Sequence, residues 1–170
     1  MTSPRVYVGT YAKYNDGSID GKWLDLEDYS GRAEFIEACN ELHKDEEDPE
    51  IMLQDYEGFP SVFYSESEID ENVWEWLTLD EDQRDISEAM VDYGFDWGTF
   101  DIDECCVIAS GVCEQNKHET IGDYYLFESG CYEIPEFLVG YIDTEKFGRD
   151  CDIDGTYLLT ESGTLFEYNN

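Results

Sequence analysis

Basic residues are scarce in this sequence. The 170-residue chain has nine Lys and Arg against 43 Asp and Glu, which gives a formal net charge of −34 at pH 7. A protein that binds nucleic acid through its phosphates, or that binds an anionic membrane, needs clustered positive charge. The composition therefore excludes both as partners and favours a strongly basic surface on another protein.

Long apolar runs are also missing. No stretch approaches the ~20 residues that a membrane-spanning helix requires, and residues 1–5 lack the charged and apolar regions of a secretory signal. We therefore expect a cytoplasmic protein whose six cysteines are reduced thiols rather than a disulfide framework.

Recognisable catalytic motifs are absent from the sequence as well. It has two histidines and contains no Gly-x-Ser-x-Gly elbow, no papain-like cysteine context and no glycine-rich nucleotide loop. Cys105, Cys106, Cys113 and His118 supply zinc-binding atoms, but without a Cys-x-x-Cys pair we interpret them as ordinary side chains. We predict a protein that is not an enzyme and that uses no cofactor.

The most informative stretch that is present covers residues 45–104. It contains 22 carboxylates, and Arg84 is its only basic residue. Disordered acidic segments are poor in aromatic residues, whereas this stretch includes Trp74, Trp76 and Trp97. It is therefore predicted to fold with an almost entirely negative exterior.

We expect target binding to be spread over this acidic exterior. Single Asp or Glu to Ala changes in residues 45–104 should therefore be nearly silent, and removing many together should weaken binding. The residues assigned to the target-binding surface are Asp45, Glu46, Glu47, Asp48, Glu50, Glu66, Glu68, Asp70, Glu71, Glu75, Asp80, Glu81, Asp82, Asp85, Glu88 and Asp92.

Hydrophobic patterning predicts an α+β fold, built as an elongated chain of three small modules. Residues 1–62 should form an antiparallel sheet plus a helix, residues 63–104 a bundle of short helices, and residues 105–170 a mixed sheet and helix module used for dimerisation. The predicted strands are 5–11, 21–26, 51–56, 59–64, 156–161 and 164–168. The predicted helices begin at Ser30, Ser67, Asp80 and Asp143, with others in 100–110, 119–128 and 135–142.

One sequence pattern matches a metal site. Asp150, Asp152 and Asp154 precede Gly155, and Glu161 stands at the twelfth position, as in an EF-hand calcium loop. A β-rich segment follows Glu161 where an EF-hand has a helix, so we assign no metal. A calcium-binding acidic protein, stabilised by millimolar calcium unless Glu161 becomes Gln, remains an alternative. A domain whose charge only gives solubility is another.

The net charge has a physical counterpart in DNA. Duplex DNA carries one negative charge per ~1.7 Å of axis, so 34 charges correspond to about 17 base pairs. Carboxylates on a rigid scaffold could occupy the positions of phosphates in a DNA-binding groove. This leads to the hypothesis of a decoy that competes with DNA.

Several segments resemble the ArdA-type antirestriction proteins. They are Pro4-Arg5-Val6-Tyr7-Val8-Gly9-Thr10-Tyr11, Asn15, Gly17-Ser18-Ile19, Gly21-Lys22-Trp23-Leu24-Asp25-Leu26, Glu41-Leu42-His43, Asp48-Pro49-Glu50 and Gln54-Asp55-Tyr56-Glu57-Gly58-Phe59-Pro60. Residues 99–131 depart from the family pattern, which places the domain junction there in question.

The C-terminal part is similar to the family segment that includes its short antirestriction motif, ending at Arg149-Asp150. The resemblance assigns antirestriction-motif or dimer contacts to Glu133, Ile134, Pro135, Glu136, Leu138, Tyr141, Ile142 and Asp143. It implies a homodimeric DNA mimic, carried by mobile genetic elements, that occupies the DNA-binding groove of the methyltransferase core of type I restriction-modification enzymes. It implies no calcium loop at Asp150.

Overall fold

A computed structural model describes residues 3–169, and the chain divides into two compact units between Asp80 and Glu81. Each unit has its own three-stranded antiparallel sheet with helices around it. The predicted α+β class is therefore confirmed. The division into three modules and the elongated shape stay predictions, and residues 63–104 are shared between the two units.

The sheet of the first unit has the order β2-β1-β3. Its strands are β1 (Arg5–Thr10), β2 (Lys22–Asp25) and β3 (Ile51–Glu57), and both pairings of β1 are antiparallel. Alternating apolar residues place Val6 and Val8 in the core, where neither side chain is exposed. All three strands lie within about two residues of the bounds that the sequence predicted.

Three α-helices belong to the first unit: α1 (Tyr11–Asn15), α2 (Arg32–Leu42) and α3 (Asn72–Leu77). The expected Ser30 cap of α2 is wrong, because Gly31 is the N-cap and the Ser30 amide and hydroxyl donate to Glu34 instead. Helix α3 likewise begins five residues after Ser67.

The predicted strand at 59–64 is also wrong. Its residues form a 3-10 turn at Ser61–Phe63 after Pro60, which has no N–H for a strand ladder. Phe63 is 2% exposed, so this apolar run serves as a core-filling turn. A second 3-10 turn covers Leu26–Asp28.

The sheet of the second unit has the order β4-β6-β5. Its strands are β4 (Cys105–Ala109), β5 (Thr156–Leu159) and β6 (Leu165–Tyr168), and β5 and β6 form the closing hairpin that the sequence predicted. The helix expected within 100–110 is wrong. A 3-10 turn, Ile102–Glu104, leads directly into β4. The apolar residues around Val107 belong to this strand, which pairs with β6.

Three α-helices belong to the second unit: α4 (Glu81–Tyr93), α5 (Lys117–Asp123) and α6 (Thr144–Asp154). A π-helical turn, Tyr124–Glu128, continues α5, and a 3-10 helix, Glu136–Tyr141, precedes α6. Helix α4 packs Ile86 and Met90 in one core cluster with residues of β5 and β6. Gly94, at φ +116°, follows its end as predicted.

Helices α5 and α6 approach each other closely through glycines. A Cβ atom on Gly148 would lie 1.8 Å from the His118 carbonyl oxygen, and one on Gly122 would lie 2.0 Å from that of Thr144. The Asp143 carboxylate accepts from the Lys146 amide at 2.9 Å and so caps α6, as the sequence predicted. Within residues 3–169, no helix is long and apolar enough to cross a membrane.

Candidate functional site

The sixteen carboxylates assigned to the target-binding surface are at the surface of the protein. None is buried, and only Glu46, Asp85 and Glu88 are half-buried, while the other thirteen are exposed. The structure distributes them over both units, because those up to Asp80 belong to the first and those from Glu81 belong to the second.

Three of these carboxylates in the first unit already have cationic partners. Lys13 Nζ lies 3.0 Å from an Asp45 oxygen and 3.5 Å from a Glu46 oxygen, and Arg32 pairs with Glu68 at 2.6 Å. The hydrogen bond from Lys13 lowers the pKa of Asp45. Their charges are partly compensated within the fold, so Asp45, Glu46 and Glu68 are weaker candidates for target binding than their exposure suggests.

The second unit presents a row of carboxylates along α4. Asp85, Glu88 and Asp92 are three and four residues apart, which places them on one face of the helix. They line a groove of about 360 Å³ together with Glu114 and Glu161. We call these five carboxylates the α4 groove.

The α4 groove concentrates negative charge enough to perturb one of its members. Burial, followed by the nearby charges of Asp85, Asp92 and Glu161, raises the pKa of Glu88 above its usual value. Lys117 also lines the groove, but its ammonium is 3.0 Å from the carboxylate of Asp152. The five carboxylates therefore produce a negative electrostatic potential that attracts an external cation. The sequence prediction did not include Glu114, and it named Glu161 only in the alternative of a calcium loop.

We expect Glu88→Gln to stabilise the protein at neutral pH. Because the folded-state pKa of Glu88 is raised, the protonated carboxyl favours the folded chain and the ionised carboxylate favours the unfolded chain. The stabilising contribution of the protonated form is lost as pH rises through the folded pKa. The gain in Tm should therefore be present at pH 7 and shrink as pH falls toward the ordinary glutamate value of 4.5. Thermal unfolding of both proteins at a series of pH values measures this, and a pH-independent difference would contradict it.

The segment assigned to antirestriction-motif or dimer contacts carries an exposed apolar patch. Phe137, Leu138, Val139 and Tyr141 are 75%, 40%, 42% and 87% exposed, respectively. They lie on the 3-10 helix Glu136–Tyr141. Of the residues assigned from the sequence, Ile134 and Ile142 are half-buried and the others are exposed. Phe137 and Val139 were not named individually from the sequence, although both lie within the segment 135–142 that it singled out.

The comparison with family models gives a match over nearly the whole chain. The model of the antirestriction protein (ArdA) family matches residues 6–166. The chain belongs to the ArdA antirestriction family. A search of curated proteins returned no match.

The ArdA match confirms the resemblance seen in the sequence and extends through residues 99–131, where the family pattern was expected to break. Membership assigns an antirestriction role and implies that restriction-modification enzymes are the proteins it acts on. Both the α4 groove and the apolar patch fall within the matched residues.

In this ArdA family member, the calcium-loop pattern does not form a loop. Asp150, Asp152 and Asp154 belong to α6, where residues two apart project about 200° from one another. Asp152 binds Lys117 Nζ at 3.0 and 3.1 Å and His118 Nε2 at 3.0 Å. Glu161 lines the α4 groove instead. Among residues 3–169 no group of three or more potential ligands could hold a metal ion.

The Asp152 carboxylate should stabilise the fold, whereas that of Asp150 on the same helix should not. The side chain of Asp152 is 21% exposed and that of Lys117 is 15% exposed, so Asp152→Ala leaves a poorly solvated ammonium without its partner. We expect a loss of about 2 kcal/mol in the free energy of unfolding. Asp150→Ala, at an exposed position without an ion pair, is the control and should change it by less than about 0.5 kcal/mol. Equal urea midpoints for the two variants would contradict this role.

Proposed function

We propose that this ArdA family member is a DNA mimic that inhibits a type I restriction-modification enzyme. It occupies the DNA-binding groove of the methyltransferase core and performs no chemistry itself. The observation that carries the proposal is that none of the sixteen assigned carboxylates is buried and that most lie exposed on helices, turns and loops of a folded scaffold.

The α4 groove illustrates how such a scaffold reproduces the charge of DNA. A helix rises 1.5 Å per residue, so Asp85, Glu88 and Asp92 follow each other at about 4.5 and 6 Å along the axis. Phosphates along one DNA strand rise ~3.4 Å per nucleotide. The charge spacing along α4 is therefore of the same order as that on DNA, and the scaffold holds it without the flexibility of an acidic tail.

Binding of this kind gains free energy as DNA binding does. Basic residues of the enzyme attract the acidic surface from a distance, and ions condensed around both partners are released when they meet. Because each contact is exposed to solvent, it is weak and screened by salt. The affinity should therefore be the sum of many contacts, which explains why no single carboxylate is expected to be decisive.

Competition with DNA tests the proposal. A type I methyltransferase is incubated with labelled duplex, and the protein is titrated across a salt series, with unlabelled duplex as the reference competitor. We expect displacement of the duplex at near-stoichiometric protein, weakening as salt rises. Absence of displacement at low salt would contradict the mimic and leave the acidic surface with a different basic partner.

We further propose that the protein is a homodimer that buries the exposed apolar patch of Phe137, Leu138, Val139 and Tyr141 against a second copy. Four exposed apolar side chains within five consecutive residues are unusual on a highly charged monomer and favour an interface. The remaining surface repels a like-charged copy, so this patch is the natural place for self-association.

Combining Phe137→Asp with Tyr141→Asp should therefore give a monomer. The change removes two apolar contacts and adds like charges to the interface, which should raise the dimer dissociation constant by more than about 100-fold. Sedimentation equilibrium measures it. The control is Ile19→Asp, because Ile19 is 77% exposed and lies in the first unit. A wild-type monomer, or an unchanged dimer in the double variant, would overturn the proposal.

A further inference from the structure

The second unit contains another groove, of about 430 Å³, whose lining differs from that of the α4 groove. Three aromatic rings and three carboxylates line it: Tyr132, Phe147, Tyr157, Asp150, Asp154 and Glu167. We call these six residues the aromatic groove. Neither the family match nor the proposed DNA mimicry assigns a role to it.

The wall of the aromatic groove is a pair of rings. The Tyr132 and Phe147 centroids lie 5.8 Å apart at an interplanar angle of 89°, an edge-to-face arrangement that fixes both rings. Phe147 is half-buried, whereas Tyr132 is 54% exposed. An exposed aromatic ring beside carboxylates offers a π face to a cation.

The inner carboxylate of the groove, Glu167, is fixed in place by two tyrosines. The Tyr125 hydroxyl donates to Oε2 at 2.5 Å, and the hydroxyl of Tyr157, which is 7% exposed, donates to Oε1 at 2.8 Å. Burial is the main cause that raises the pKa of Tyr157 to about 12 and that of Tyr125 well above its usual range, and the hydrogen bonds to Glu167 act in the same direction. Both phenols therefore stay protonated near neutral pH and hold Glu167 as a hydrogen-bond acceptor.

The three carboxylates of the aromatic groove are uncompensated. Within residues 3–169, none of Asp150, Asp154 and Glu167 forms an ion pair. Arg149 pairs with Glu145 and Lys117 with Asp152, and within residues 3–169 Lys146, four residues before Asp150 on α6, pairs with none of the three. A groove with aromatic walls and three unpaired carboxylates is complementary to a cation that also has a flat apolar face.

We propose that the aromatic groove binds the guanidinium group of an arginine side chain on the basic partner protein. Guanidinium is planar, stacks on aromatic rings and donates several hydrogen bonds to carboxylates, whereas a lysine ammonium is a compact and strongly hydrated charge. The identity of the partner rests on the proposed function, but the chemistry of the groove does not. The groove would convert one general electrostatic contact into a specific one.

Two-dimensional NMR of the full chain, titrated with N-acetyl-arginine methylamide, tests the groove directly. The lysine analogue and the neutral citrulline analogue are the reference probes. We expect millimolar, saturable shifts of the Tyr132, Phe147 and Asp154 amides with the arginine probe, weaker shifts with lysine and none with citrulline. Equal shifts with arginine and citrulline, or shifts spread evenly over all exposed acids, would overturn the inference.

Variants separate the contributions of ring and charge. Tyr132→Leu keeps an apolar side chain but removes the π face. We expect it to lower the affinity for the arginine probe about two- to fivefold. Asp154→Asn should weaken the probe as well. Glu119→Gln, which removes one exposed charge outside the groove, is the matched control and should leave the probe's affinity unchanged. Equal affinities for the groove variants and the control would contradict the proposal.

The DNA-competition assay distinguishes the two proposals. If the wild type displaces DNA and Tyr132→Leu does so equally well, arginine capture fails while DNA mimicry stands. If the wild type does not displace DNA but the arginine probe still saturates the groove, the mimic fails while the groove stands.

Discussion

Replacing Gly148 with alanine is expected to destabilise the protein by about 3 kcal/mol, lowering its Tm by roughly 6–12 °C. An added Cβ would lie 1.8 Å from the His118 carbonyl oxygen and 2.8 Å from the Gly122 amide nitrogen. Both atoms are backbone, so no side-chain rotation relieves the overlap. Helix α6 must move away from α5, and the packing between the two helices is lost.

The sign of this effect is the opposite of what helix propensity gives. Alanine is favoured over glycine inside a helix by about 1 kcal/mol. Helix propensity alone therefore predicts that Gly148→Ala, in the interior of α6, stabilises the protein. Ile153→Ala is the control, because Ile153 lies on the same helix and its side chain is 75% exposed. It should change stability by less than about 0.5 kcal/mol. A Gly148→Ala protein that unfolds at or above the wild-type Tm would show that the close helix approach is absent.

The parts of the fold that the sequence predicted correctly have strong local patterns. Alternation in β1 and the Ser162-Gly163 turn of the closing hairpin depend on neighbouring residues alone. The errors in the type of element, at residues 59–64 and 100–110, concern short apolar runs. Such runs fit a strand, a helix or a buried turn equally well, and their outcome depends on partners far along the chain, such as β6 for β4.

The sequence predicted that the acidic residues lie at the surface, but it did not predict which of them lie next to each other. Composition required most carboxylates to be exposed, and residues 45–92 follow that expectation. Which carboxylates share a groove depends on tertiary contacts, as for Glu161, which lies more than 70 residues after Glu88 and still raises its pKa. The calcium pattern failed for the same reason, because Lys117 occupies the Asp152 carboxylate from another helix.

The Lys13 and Arg32 ion pairs also depend on contacts that sequence spacing does not reveal. Lys13 lies 32 residues from Asp45, and Arg32 lies 36 from Glu68. A ranking of target-binding residues by local charge density therefore overestimates these acids. The stretch of residues 45–104 remains acidic overall, but Asp45, Glu46 and Glu68 contribute less free charge than their exposure suggests.

Replacing all five carboxylates of the α4 groove with their amides is expected to reduce affinity for the methyltransferase by about 100- to 1,000-fold at moderate salt. Each lost contact removes a small, screened contribution, and five of them act on the same basic surface. The slope of log affinity against log salt should also fall by as much as about five. Amides keep the shape of each side chain, and removal of like charges from around Glu88 relieves repulsion in the folded state. Loss of inhibition would therefore not reflect unfolding.

A charge-matched control decides whether arrangement or net charge is responsible. It carries five amide replacements at exposed acids outside residues 45–104, namely Asp16, Asp20, Asp28, Glu37 and Glu128. Both variants have the same net charge, so long-range attraction and solubility change equally. If the enzyme recognises carboxylates held in a row, the groove variant loses affinity well beyond the control, while each single replacement stays close to wild type. Equal losses would mean that total charge alone drives binding, and the protein would then act as a polyanion without mimicking the geometry of DNA.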